Sequence, residues 1–163
     1  MNSDKTLTQL IDGPIDKDKV KIVISKSKYK LTVFYNRKPV KDYMIVMGGD
    51  PVNDKRREGD KRTPEGELKV RDLYPHKSWS KFIWINYPTQ ASWQKHNQAK
   101  ADGEISEGDT IGGEIGLHGV PVGNDQLVTD GVNWTTGCVS LTNKDVNEIY
   151  DVMKVGTPIT ITH

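Results

Sequence analysis

Short runs in which apolar and polar residues alternate dominate this chain from residue 20 onward. Val20–Ser25 and Lys30–Tyr35 each follow a period of two, which predicts half-buried strands. The same pattern predicts further strands over residues 43–47, 67–73, 82–87, 114–118 and 157–162. One stretch near the end has apolar residues at i, i+3, i+4 and i+7 instead, which predicts a helix over residues 143–154. The chain is therefore expected to be mainly β, with one or two helices.

The size and charge of the chain limit the classes of protein it can be. A chain of 163 residues is long enough for one domain with a substantial core. Its 23 Lys and Arg residues against 22 Asp and Glu residues give a net charge of +1, which provides no overall electrostatic basis for binding nucleic acid. No stretch approaches the roughly 20 apolar residues of a transmembrane helix. A single cysteine excludes an internal disulfide.

Composition divides the chain into a polar start and one domain. Residues 1–19 are rich in Asp and Lys and contain a Gly-Pro pair, which favours a flexible N-terminal lead-in followed by a domain over residues 20–163. The first ten residues do not resemble a signal peptide, so we expect that the protein stays in the cytoplasm or that an export signal has been removed. Residues 88–108 are polar, and we expect there a short helix or a mobile flap that serves as a lid.

The one cysteine, Cys138, follows Thr-Thr-Gly, and a His118-Gly119 pair lies upstream of it. A lone cysteine is most often a small buried hydrophobic residue. A glycine turn, however, brings backbone N–H groups close to the thiol, and an imidazole can accept its proton. Cys138 and His118 are therefore the candidates for a nucleophile and its base.

The other histidines and several tryptophans have no such motif around them. We expect these residues in loops, at a frayed end or in packing: His76, His96, His163, Trp79, Trp84 and Trp93. A metal site on Cys138 and His118 would need a further ligand such as Asp125 or Asp130, and no metal-ligand spacing is present. We therefore expect no metal and no cofactor.

These motifs together resemble the catalytic domain of the L,D-transpeptidases, the YkuD-type enzymes that modify peptidoglycan. The family pattern is His-Gly, a gap, then Ser/Thr-x-Gly-Cys and a hydrophobic residue, which here is His118-Gly119 followed by Thr135–Val139. Three other segments are similar to family motifs: Gly59–Gly66 with its Gly-Asp-x-x-Thr-Pro-x-Gly pattern, Phe82–Pro88 with its final Tyr-Pro, and Gly156–Ile161 with its Gly-Thr-Pro start. The resemblance runs from Val20 to the C-terminus. It implies a YkuD-like β-sandwich with a C-terminal helix packed on the sheets.

The resemblance also implies roles for the residues around the thiol. Cys138 would be the nucleophile and His118 the base, while the carbonyl of Gly119 holds the second imidazole nitrogen. The backbone N–H groups of Thr136, Gly137 and Cys138 would form an oxyanion hole, in which one donor is worth roughly 3 kcal/mol of the barrier.

Candidate substrate contacts come from the same motifs. Lys61 and Arg62 are candidates to bind a substrate carboxylate, and Trp134 is a candidate wall of the cleft. Two positions depart from the common family pattern: Thr136 stands where many members have His, and Ser140 where many have Arg. Ser140 is counted with the substrate-binding candidates.

The implied activity is acyl transfer, with peptidoglycan stem peptides as partners. The thiol would form a thioester at the L-to-D bond after the third residue of a donor stem, and the amine of a second stem would resolve it. Three alternatives stay open: hydrolysis as an L,D-carboxypeptidase, a murein-binding module with a degenerate site, and a cytoplasmic hydrolase with another substrate. A β-lactam such as a carbapenem is an expected covalent inhibitor. A periplasmic or cell-wall location is implied, with the cytoplasm as the alternative.

Overall fold

The computed structural model describes residues 4–163, in which eight strands form. The strands are β1 (Val20–Ser25), β2 (Lys30–Tyr35), β3 (Lys38–Met44), β4 (Gly66–His76), β5 (Ser80–Ile85), β6 (Gly116–His118), β7 (Val139–Ser140) and β8 (Pro158–Thr162). They make one curled sheet in the order β3-β2-β1-β8-β4-β5-β6-β7. The pairs β1–β8 and β6–β7 are parallel, and the other neighbouring strands are antiparallel.

The helices lie between and around these strands. They are α1 (Leu7–Leu10), α2 (Gln90–Ala101), α3 (Gln126–Thr129) and α4 (Asn143–Tyr150), with a short 3-10 turn at Lys17–Lys19. The prediction of a mainly β fold is confirmed. Residues 4–163 contain more helices than the expected one or two, because α1 and α3 each have four residues and are too short to show a helical period.

Strand β4 is the point at which the sheet bends. Its first residues pair with β8, from Gly66 opposite Ile161 to Lys69 opposite Pro158. Its later residues pair with β5, and the register shifts after Val70. Such an irregularity increases the local twist, so the two halves of the sheet curl over a shared hydrophobic core.

The two ends of the curled sheet approach each other near the predicted site. After β3, Val46 forms an isolated bridge with Ser140, and Gly48 forms another with Thr135. These bridges bring the loop after residue 48 against the segment that carries Cys138. The topology therefore joins parts of the chain that lie about ninety residues apart.

The third strand begins earlier than the sequence pattern predicts. Asn36 and Arg37 both have positive φ values, 51° and 70°, so they alone make the hairpin turn. Pro39 then falls inside β3, where a proline is tolerated because β3 is an edge strand. The two-residue turn therefore lets β3 begin at Lys38.

Both ends of the domain contribute to the core. Helix α4 buries Val146 and Ile149 and packs against β5 and β6, as expected of a C-terminal helix on the sheet. It ends at Tyr150, four residues earlier than predicted. Leu7 and Ile11 are buried in the same core, so this part of the expected flexible lead-in is packed on the domain.

No described helix combines the length and apolar character that a membrane span requires.

Candidate active site

Cys138 lies at a tight turn just before β7. Gly137 has a φ of +144°, a conformation that favours glycine. The Thr135 hydroxyl accepts a hydrogen bond from the N–H of Gly137 at 3.2 Å and donates one to the carbonyl of Cys138 at 2.7 Å. These two bonds close the turn and hold Cys138, a half-buried residue, at its tip. The N–H of Gly137, one of the three expected oxyanion donors, is thus already engaged in this structure.

The loop that contains Arg62 and Thr63 packs against this turn. The buried Thr63 hydroxyl donates to the carbonyl of Gly137 at 2.7 Å. A side chain at position 137 would place its Cβ 2.8 Å from the carbonyl oxygen of Arg62, so only glycine fits there. The Thr-Pro-Glu-Gly motif is therefore part of the scaffold that shapes the turn.

His118 ends β6 and is held through one ring nitrogen. Its Nδ1 lies 2.7 Å from the carbonyl oxygen of Gly119. The same carbonyl accepts a hydrogen bond of 3.2 Å from the hydroxyl of Ser140, which is fully buried. Nδ1–H is therefore the donor in the neutral ring, and Nε2 is the nitrogen left to accept a proton.

Burial sets the charge state of both candidate catalytic groups. Desolvation lowers the pKa of His118 to about 4, although the Gly119 carbonyl acts in the opposite direction. Desolvation raises the pKa of the Cys138 thiol to about 11, although the N–H of Gly116 and the charge of Lys55 act to lower it. Both shifts favour a neutral thiol and a neutral imidazole in the resting site.

Aromatic rings stack in a row against His118. The Trp79 ring lies 4.2 Å from the His118 ring, at 18° between their planes, and the His76 ring lies 4.6 Å from Trp79 on a nearly parallel plane. The ring centres of Trp134 and His118 lie 5.5 Å apart in a T-shaped arrangement. Trp134, the predicted wall of the cleft, therefore lies beside the candidate base. The Nδ1 of His76 accepts backbone hydrogen bonds from Ser78 and Trp79, both at 3.1 Å. His76 and Trp79, expected in a loop and in packing, therefore belong to the site.

A cavity of about 300 Å³ opens beside the thiol. Its lining residues are Tyr74, His76, Trp79, Phe82, Trp84, Glu114, Thr136 and Cys138. Sequence reasoning missed all of these except the last two. The aromatic residues along β4, β5 and the turn between them are visible in the sequence. The sequence around them does not show, however, that this hairpin pairs with β6, the strand that ends at His118.

Two of the predicted substrate contacts lie outside this cavity. Lys61 is exposed and its side chain runs along Gly49, while the Nε of Arg62 donates to Asp50 at 2.8 Å. Neither residue lines the cavity. Ser140 is buried behind His118, where it holds the Gly119 carbonyl and has no exposed atoms to offer a substrate.

Helix α2 confirms a helix within residues 88–108 but lies outside the cavity. Its His96 is buried and its Nδ1 lies 2.5 Å from the carbonyl oxygen of Arg56, so this histidine is a structural residue of a helix and not of a loop. Lys95 donates to Asp54 at 2.7 Å, which ties the helix to the neighbouring loop. The lid predicted here lines no part of the cavity.

Neither of the candidate further metal ligands, Asp125 or Asp130, lines the cavity. Asp125 accepts a hydrogen bond from the N–H of Asn143 at 3.1 Å, at the start of α4. Within residues 4–163 no group of three or more His, Cys, Asp or Glu side chains is placed to hold a metal ion.

Comparison with known proteins places the chain in a family. It matches the family model of the L,D-transpeptidase catalytic domain, YkuD, over residues 19–161, and the chain belongs to that family. No curated protein sequence matched it.

Several solved structures share the fold. Bd1075 from Bdellovibrio bacteriovorus is 21% identical, with a TM-score of 0.63 over 88% of this chain and 48% of that chain. The helical cell shape determining protein Pgp2 from Campylobacter jejuni is 20% identical, with a TM-score of 0.64 over 88% of this chain and 47% of that chain. L,D-transpeptidase 3 from Mycobacterium tuberculosis, in complex with a faropenem-derived adduct, is 14% identical, with a TM-score of 0.59 over 89% of this chain and 60% of that chain. The chain thus spans about half the length of the first two structures.

Proposed function

We propose that this chain is a cysteine-dependent acyltransferase that acts on peptidoglycan stem peptides. The observation that carries the proposal is that β7, which directly follows Cys138 at the tip of a braced turn, pairs with β6, which ends at His118. His118 is held through Nδ1, so that Nε2 is its basic nitrogen. Membership in the L,D-transpeptidase family supports the substrate class. A pure binding module would need neither the thiol nor the oriented imidazole.

The reaction follows from the neutral resting pair. As the sulfur of Cys138 attacks the carbonyl carbon of the L-to-D peptide bond, the thiol proton moves to Nε2 of His118. The imidazolium that forms is stabilised by the Gly119 carbonyl at Nδ1, which is the role that the family resemblance implies for it. Backbone N–H groups of the turn around Gly137 then stabilise the oxyanion.

Collapse of the tetrahedral intermediate breaks the C–N bond, and His118 returns its proton to the leaving amine. A thioester on Cys138 remains. The amine of a second stem resolves it to a cross-link, and water resolves it to a shortened stem. The partly open cavity, with an engaged Gly137 N–H, is compatible with both outcomes, and hydrolysis as an L,D-carboxypeptidase is the second candidate.

The family and its substrate support a location in the periplasm or at the cell wall. The same chemistry supports a β-lactam as a covalent inhibitor, since the solved L,D-transpeptidase 3 carries a faropenem-derived adduct.

Product analysis tests the proposal. Purified protein is incubated with a disaccharide tetrapeptide and the products are separated by liquid chromatography with mass detection. We expect a cross-linked dimer, or a tripeptide stem with release of one D-amino acid, and neither product from Cys138→Ser. His163→Ala is a matched control for His118→Ala, because His163 is exposed at the C-terminus. Binding of the stem without any product would support the murein-binding module instead.

A further inference from the structure

A cavity of about 520 Å³ lies on the outer face of the sheet, with a floor formed by Val23, Phe34 and Pro158. These three residues come from β1, β2 and β8, which are neighbours in the sheet. Val23 and Pro158 alternate with the buried residues Ile22 and Ile159, so they point away from the core. The solvated face of a sheet is usually polar. The core therefore does not account for this apolar floor.

Basic side chains surround the floor, and together they make what we call the basic groove. Lys19, Lys21 and Arg37 line the cavity and are exposed. Within residues 4–163, no carboxylate forms an ion pair with any of the three. The acidic residue in the lining, Asp18, is already paired with Lys154. Because the whole chain has a net charge of only +1, this positive charge is a local property of the groove.

The backbone holds two of these cations beside the apolar floor. Lys21 lies directly opposite Phe34 in the β1–β2 pair, so the two side chains stand on the same face of the sheet. Arg37 is the second residue of the hairpin turn after β2 and has a φ of 70°. Glycine is favoured at that position of such a turn, so the turn itself does not call for an arginine.

The basic groove is separate from the candidate active site. None of the residues that line it lines the cavity beside Cys138. Strands β4, β5 and β6 lie between β8, which supplies Pro158, and β7, which follows Cys138. A ligand in the groove therefore does not occupy the place of the reacting peptide, and both can be bound at once.

We propose that the basic groove docks a peptidoglycan strand through a second stem peptide, which is not the one that reacts at Cys138. The carboxylates of a stem complement the unpaired ammonium and guanidinium groups. The C–H face of a sugar ring packs on an aromatic face such as that of Phe34. The proposal rests on the proposed function, because that function supplies the polymer. A strand with many stems that is held at two points binds more tightly than a single stem.

Sedimentation with purified peptidoglycan sacculi measures docking without turnover. Every protein in this assay carries Cys138→Ser, so no thioester forms. For Lys21→Gln/Arg37→Gln we expect the Kd to rise about fivefold at about 50 mM salt, because two charge contacts are lost. The matched control is Lys28→Gln/Lys144→Gln, which removes the same charge at exposed positions outside the groove. Its Kd should stay within about twofold, and an equal change in the two double variants would overturn the proposal.

Chemical modification of the sacculi tests which groups the groove binds. Carbodiimide coupling to glycinamide converts the stem carboxylates into neutral amides. The difference in Kd between the parent and Lys21→Gln/Arg37→Gln should then disappear. Vesicles of phosphatidylglycerol test an anionic membrane as the alternative occupant. A difference that persists on the amidated sacculi would overturn the proposal, and so would vesicle binding as tight as that to native sacculi and equally dependent on the two cations.

Turnover separates the docking site from the proposed function. With Cys138 restored, Lys21→Gln/Arg37→Gln should convert a soluble disaccharide tetrapeptide within about twofold of the wild-type rate, because a single stem cannot span both sites. On sacculi, the concentration that gives half of the maximal rate should rise about fivefold, with little change in the maximal rate. An equal loss on the soluble substrate would overturn the docking site. If the wild type converts neither substrate, the proposed function fails, and the sedimentation assay still decides whether the groove binds the strand.

Discussion

The hydroxyl of Thr63 donates a hydrogen bond of 2.7 Å to the carbonyl of Gly137, across 74 residues of sequence. Both residues are buried. The Thr63 carbonyl in turn accepts a hydrogen bond of 2.8 Å from the ammonium of Lys26, which is also buried at the end of β1. The turn that carries the nucleophile is thereby tied to the rigid part of the sheet.

Replacing Thr63 by valine should slow acylation more than it harms the fold. Valine has the same shape but leaves the buried Gly137 carbonyl without this donor, which costs about 1–3 kcal/mol. We expect acylation by a carbapenem to slow about tenfold or more, while modification of the thiol by a small methanethiosulfonate changes less than threefold. Thr63→Ser, which keeps the hydroxyl, should recover most of the rate. Equal losses in both reactions would contradict a positioning role.

Removing the Trp79 ring should raise the pKa of His118. Burial is the main reason that this pKa lies near 4, and Trp79 covers the ring at 4.2 Å. In Trp79→Ala water reaches the imidazole, and its pKa should move up toward the ordinary value of about 6.5. NMR titration of the histidine ring protons measures this shift. Trp93→Ala is the control, since Trp93 is exposed on α2, and a His118 pKa that stays near 4 in Trp79→Ala would contradict the burial explanation.

The free enzyme should alkylate slowly at neutral pH. Burial raises the pKa of Cys138 to about 11, so the thiolate fraction rises with pH across the whole range from 6 to 10. We expect the rate constant with iodoacetamide to increase steadily over this range, with no plateau. A plateau at pH 6 to 7 that disappears in His118→Ala would show a resting thiolate–imidazolium pair instead.

The buried pair of Lys55 and Asp60 should make the fold sensitive to acid. Burial raises the pKa of Asp60, but hydrogen bonds from the N–H groups of Arg56 and Arg57 and from Lys55 outweigh it, so the pKa is lowered. A lowered pKa in the folded state stabilises the protein above the unfolded value of about 3.9, and this contribution is lost as the pH falls through the folded pKa.

Asp60→Asn should therefore destabilise the protein most at neutral pH. Breaking a buried ion pair costs about 3 kcal/mol, which corresponds to a fall of about 9 °C in Tm for a chain of this size. The difference from wild type should shrink as the pH is lowered below 4. Asp130→Asn, at an exposed position, should change Tm by less than about 2 °C. A difference between wild type and Asp60→Asn that does not depend on pH would show that the carboxylate charge is unimportant.

Local patterns were sufficient to predict most of the fold. Each of β1, β2 and α4 buries one face, so its apolar residues recur with the period of a strand or of a helix. This period is visible in the sequence. Motif spacing likewise singled out Cys138 and His118, whose catalytic roles stay predictions. Each of these features can be predicted from residues that lie close together in the sequence.

The rest of the site depends on long-range pairing and could not be predicted locally. Trp79 reaches His118 because β5 pairs with β6, which nothing in the sequence around Trp79 indicates. Ser140 follows the motif closely enough to suggest a substrate contact, yet β7 pairs with β6 and buries its side chain behind His118. Arg62 has the right charge for a substrate carboxylate, but Asp50 already binds it.

Intact-protein mass spectrometry after incubation with a carbapenem tests the central claim most directly. If Cys138 is an acylating nucleophile assisted by His118, the wild type gains the mass of one opened lactam, and the adduct maps to the peptide that contains Cys138. Cys138→Ser should show no adduct, and His118→Ala should form it at least a hundredfold more slowly. An adduct of the same mass on Cys138→Ser, or a wild type that stays unmodified while its thiol reacts with a methanethiosulfonate, would contradict the claim.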